Sequence, residues 1–131
     1  MSRSDGLSTS DLDKPLKTMT EEDGCLHQEC GGNLDFAALA EDSDPLTTVL
    51  GPDVYARRVL LKCERLGFLD TSGVSWLIDC HKRFAQRGGR LVLYAVPPLA
   101  QQLIKLLRLD HLLHIQTDLR AARAFALRDT P

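Results

Sequence analysis

The chain has 131 residues and a formal net charge of -2, from 16 basic and 18 acidic residues, with 44% hydrophobic and 26% charged content. That length builds one domain with a real core and not two, and the proportions are those of a globular protein. The charge balance argues against direct nucleic-acid binding, and no stretch approaches the roughly 20 apolar residues that membrane insertion requires.

The first segment, residues 1 to about 23, is polar and rich in Ser, Thr, Asp and Lys. It cannot bury enough surface to offset its ordering entropy, which predicts a flexible tail. Its start, Met1-Ser2-Arg3-Ser4-Asp5-Gly6, lacks the apolar core of a signal peptide, so a cytoplasmic location is expected. The domain is then expected over 24–131. Gly24 to Cys30 reads as a short strand, polar enough to suit a sheet edge. Its Cys25 and Cys30 have an uncommon spacing for zinc and no second pair nearby, so thiols in a strand are expected, with no metal and no cofactor.

Gly31-Gly32-Asn33 signals a turn. A helix follows from about Phe36, interrupted by Asp42-Ser43-Asp44-Pro45, with Leu46 to Leu50 as a second piece. Gly51-Pro52 marks a loop before a strand at Arg58 to Cys63. Leu66, Phe68 and Leu69 continue the apolar segment behind a turn at Gly67. From Val74 the apolar spacing becomes helical, through Leu77, Ile78, Phe84 and Ala85, and Gly88-Gly89 ends the helix.

Asp70, Thr71 and Ser72 therefore sit in a strand-to-helix turn. The first N–H groups of a helix lack internal partners, and its dipole is positive there. One of these hydroxyls can cap the helix, or it can accept a phosphate at a site that tolerates one. The turn alone leaves both readings open.

Arg90 to Val96 reads as another strand. Pro97-Pro98 opens a helix running to about Leu106 or Leu107, with prolines where a missing N–H costs least. Leu109, Leu112 and Leu113 suggest a short turn, and His114-Ile115-Gln116 a last strand. Thr117-Asp118 can cap a final helix whose apolar side is Leu119, Ala122, Ala126 and Phe125. Strands alternating with helices predict an α/β layer structure. Lys82-Arg83, Arg87, Arg90, Arg120, Arg123 and Arg128 are expected on solvated helix faces or ends.

Catalytic constellations are missing. There is no Gly-x-Ser-x-Gly elbow and no Walker loop. The histidines His27, His81, His111 and His114 fall on helix faces, a helix end or an edge strand. His81 lies nine positions beyond Ser72 and is too distant to serve it as a base. No enzymatic activity is expected.

Asp70-Thr71-Ser72-Gly73-Val74 resembles the Asp-Ser/Thr-Ser-Gly-Leu/Val turn of STAS domains, the sulfate-transporter and anti-sigma-factor-antagonist family. Gly32-Asn33-Leu34-Asp35 is similar to the family's Gly-Glu-Leu-Asp turn. The order of Gly-Gly, strand and Pro-Pro agrees as well. The resemblance covers roughly residues 24 to 127. It implies a STAS-like single domain, with a central mixed sheet of about four to five strands covered by about four to five helices.

The resemblance also implies a partner switch. The unmodified domain binds an anti-sigma factor that is itself a GHKL-type serine/threonine kinase. Phosphorylation of the turn hydroxyl ends binding, and a serine/threonine phosphatase resets it. The acceptor position falls on Thr71, with Ser72 as runner-up. Asp35 and Asp70 match the family's partner-contacting loops. Gly73 allows close approach at the helix start, and Trp76 is expected partly accessible near the partner. Two departures stand out: Asn33 replaces the usual Glu, and Thr71 offers a secondary hydroxyl. The alternative is a STAS subunit that stabilises a larger assembly without phosphorylation, such as a lipid-transport ATPase complex or a stressosome-like scaffold.

Overall fold

A computed structural model describes residues 16–128 of the chain. Four parallel strands form the centre of the sheet. They are β2 (Cys25–Cys30), β4 (Arg58–Lys62), β6 (Arg90–Tyr94) and β7 (His114–Gln116). A fifth strand, β1 (Leu16–Glu22), pairs antiparallel with β2, giving the order β1-β2-β4-β6-β7. A separate parallel pair, β3 (Gly32–Leu34) and β5 (Leu66–Leu69), stands beside this sheet.

Two expectations are corrected at the first strands. The sheet begins at residue 16, inside the segment whose composition suggested a tail, while residues 1–15 lie outside the described part. Strand β2 is consequently interior, not an edge. The hairpin between them turns at Asp23 and Gly24, whose φ values are 54° and 77°. Both residues are thus in the left-handed region that two-residue hairpin turns demand, and Asp-Gly is a preferred pair for it.

The sheet is buried on both faces, which explains why β4 and β6 are unbroken apolar runs. Side chains alternate across it. Val59, Leu61, Leu91 and Leu93 enter the larger core, while Leu60, Val92 and Tyr94 enter the smaller one. The smaller core is closed by α5 (Leu119–Ala126), through Ala122 and Ala126. The larger core takes α2 (Pro45–Leu50), α3 (Thr71–Arg87) and α4 (Pro98–Leu106). Phe84 and Leu77 of α3 are nearly or fully buried there, each contributing on the order of 1.5–3 kcal/mol by its transfer from water.

The short helix α1 (Phe36–Glu41) buries no residue fully. It ends at Asp42, and Asp44 caps α2, as the Asp-Ser-Asp-Pro interruption predicts. The turn expected at Gly67 lies instead at Glu64 and Arg65, and Gly67 is inside β5. A Cβ on Gly67 would stand 2.6 Å from Asn33 Oδ1, so the missing side chain makes room for the Asn33 amide. That oxygen accepts from the Phe68 N–H at 2.8 Å and ties β3 to β5.

Candidate partner-binding site

The turn into α3 is built around Asp70. Its Oδ1 accepts from the Gly73 N–H at 3.0 Å, which makes Asp70 the N-cap of the helix. Its Oδ2 accepts from the Phe36 N–H, also at 3.0 Å, and so joins the start of α3 to the start of α1. The Gly73 N–H, and then those of Phe36 and Ser72, hold the Asp70 carboxyl below its ordinary value. Asp35 does the same work one helix earlier: it caps α1, accepting from the Ala38 N–H at 3.0 Å.

This arrangement identifies the group that caps the helix. Neither hydroxyl is the cap, because the carboxylate of Asp70 holds that position. Thr71 is the first helical residue and is exposed, and Ser72 is half-buried. The Thr71 side chain is therefore presented to solvent.

Gly73 is fully inside. A Cβ there would overlap the Leu34 carbonyl oxygen and come within 2.7 Å of Leu69 Cδ1. The close approach expected of Gly73 is thus between α3 and the backbone of β3. Trp76 also departs from expectation. It is 5% exposed and belongs to the larger core, so it is not a partly accessible side chain. Its Nε1–H has no hydrogen-bond partner among the described residues.

Between α1 and α3 lies a shallow depression of about 410 Å³. Thr71, Ser72, Ser75 and Ser43 contribute hydroxyls to its wall, Trp76 part of its floor, and Asp79 its one charged lining residue. Sequence reasoning missed two neighbours. Phe36 is 72% exposed and Phe68 60% exposed, both anchored by backbone bonds to the turn residues Asp70 and Asn33. The available signal was positional: Phe36 directly follows a capping aspartate in a helix too short to bury it. Exposed aromatic side chains held on fixed backbone are suited to protein contacts.

All four cysteines are free and buried. No cluster of three or more potential metal ligands occurs among the described residues. No helix there is long and apolar enough to cross a membrane. Arg90 is not on a solvated face: its guanidinium donates to the Phe125 carbonyl at 2.8 Å and stacks over that ring.

The sequence pattern described as the STAS domain matches residues 17–122. No curated protein matches the chain by sequence. Among solved structures, the chain is similar to an anti-sigma factor antagonist from Mycobacterium paratuberculosis. The TM-score is 0.69 and the identity 16%, over 85% of this chain and 92% of that one. It is similar to an anti-sigma-factor antagonist domain protein from Planctomyces limnophilus at a TM-score of 0.67 and 16% identity, covering 83% and 97% of the two chains. The Bacillus cell fate determinant SpoIIAA in its phosphorylated form gives a TM-score of 0.57 and 18% identity, covering 82% and 97%. At these identities the likeness is one of fold.

Proposed function

The chain belongs to the STAS domain family, and from that premise we propose that it is an anti-sigma factor antagonist switched by phosphorylation of Thr71. Unmodified, it binds an anti-sigma factor that is a GHKL-type kinase; a phosphatase restores the modified form. The protein acts by binding, without catalysis or cofactor, in the cytoplasm.

The observation that carries this reading is the division of labour at the α3 start. Asp70 caps the helix, so Thr71 can be modified without removing a bond the fold uses. Asp70 already engages the Gly73 N–H at this helix start. A phosphate on Thr71 adds about -1.5 to -2 charges beside that carboxylate. Asp35, Asp70 and Asp79 already make this surface acidic. The partner that fits it places basic side chains against the carboxylates and apolar ones on Phe36 and Phe68. Added phosphate then obstructs the apolar contact by bulk and hydration, and displaces the basic groups from their unmodified register.

The test is to incubate wild type, Thr71→Ala and Ser72→Ala with the kinase encoded beside this gene and ATP, then map the phosphopeptide. Label on Thr71, lost in Thr71→Ala and kept in Ser72→Ala, is expected. Thr71→Glu should bind the partner at least tenfold more weakly with an unchanged thermal midpoint. Label on Ser72 would move the switch by one residue. No label on either would replace the switch by a scaffold role in a larger assembly.

A further inference from the structure

A second depression, of about 540 Å³, lies at the opposite end of α3. It opens where β4, β6 and β7 begin and where α5 ends. Its nearest α3 residue, His81, lies ten positions beyond Thr71, about 15 Å at a rise of about 1.5 Å per residue. Arg58, Arg90, Arg128, His81 and His114 line it, and no carboxylate does among the described residues. The parallel register assembles the group, because Arg58 is aligned with Arg90 and His114 with Val92 two residues further on.

Four of these groups form one contiguous cluster around Phe125, and Arg58 stands beside it, aligned with Arg90 across the sheet. The His81 and His114 rings meet edge to face at 5.0 Å, and His114 lies 4.7 Å from the Phe125 ring. Arg90 and Arg128 both sit over that ring, at 5.6 and 4.9 Å. Arg90 is committed to structure, donating to the carbonyls of Phe125 and Arg128. Arg58 and Arg128 are different: both are exposed, and neither is in an ion pair among the described residues. On a chain of net charge -2, a concavity with three guanidinium groups and no acid among its described lining residues is a local excess of positive charge.

We propose that this cleft is an anion site that takes a phosphate group, free or esterified, with Arg58 and Arg128 as its charged donors and His81 and His114 completing the ring of nitrogen. The guanidinium fork matches phosphate oxygens in pairs. Burial pushes both imidazoles down, and His81 and Arg90 push His114 down further. The groups facing the histidines are Arg58 from β4, Arg90 from β6 and Arg128 beyond α5, all positive. A bound anion offsets the positive neighbours, so the imidazoles take up protons more readily on binding.

The full chain is titrated with inorganic phosphate and, separately, phenyl phosphate, while the imidazole resonances are followed by NMR at constant ionic strength. Saturable shifts of His81 and His114 are expected, with their titration midpoints displaced upward. Arg58→Gln and Arg128→Gln should each weaken binding about tenfold, the scale of one lost charged hydrogen bond, with thermal midpoints unchanged. Tighter binding of phenyl phosphate points to an ester ligand, and equal binding to the free anion; both support the site. Equal shifts with chloride, or full affinity in both variants, would overturn it. So would a tenfold gain on deleting residues 129–131, since the chain's own end would then be the occupant.

Discussion

Asp70 and Thr71 are adjacent, yet the fold depends on one and not the other. Asp70→Ala removes the bonds to Gly73 and Phe36 together and should lower the thermal midpoint clearly. Thr71→Ala changes an exposed side chain and should stay within about 0.5 kcal/mol of wild type. Thermal melts of the two variants compare them directly. The pH dependence has a definite sign. Asp70's carboxyl is held below its ordinary value of 3.8, so its contribution is present above that pH and is lost as pH falls through the lowered value. Acid melts of Asp70→Asn should therefore be flatter below about pH 4 than those of wild type. Gly73→Ala is a harsher change, because its methyl would overlap backbone at Leu34 and not a yielding side-chain end. Overpacking typically costs about 1–3 kcal/mol, and here denaturant titration should return at least that, or no folded protein.

The elements that could be read from sequence are those whose periodicity is unmixed. Val59-Leu60-Leu61 and Leu91-Val92-Leu93 are continuous apolar runs because both sheet faces are covered, and both are strands. The helix break at Asp44-Pro45 and the Asp118 cap were equally legible. Strand β1 was not, because Lys17-Thr18-Met19-Thr20-Glu21-Glu22 has an edge strand's polar composition. Its one local signal was Asp23-Gly24, the turn pair at which the tail boundary was drawn. Trp76 was misjudged because a helix start exposes some positions and buries others one residue away. The cleft was out of reach: Arg58, His81, Arg90, His114 and Arg128 span half the chain and converge only through the parallel register. The strand assignment has a direct test. Deleting residues 1–22 strips β1 and uncovers the edge of β2, which should lower the melting midpoint and promote aggregation. Light scattering and a thermal melt of that truncation check both effects.

Across the whole molecule, α3 spans the distance between an acidic end and a basic one. From Thr71 to His81 the ten residue steps make about 15 Å, roughly two screening lengths at physiological salt. Thr71→Glu should therefore leave the His81 and His114 titration curves unmoved, a result that NMR of the variant reads without any partner. The two ends share a rod and are otherwise electrostatically separate. The carboxylate cap has a further consequence, for descent. A helix start held by Asp70 tolerates the gain, exchange or loss of the hydroxyl beside it, so the proposed regulation and the folding are inherited separately. Under the proposed switch, duplicated copies of such a gene can part ways at a single codon, one keeping the modifiable turn and the other becoming a permanently active competitor for the same partner.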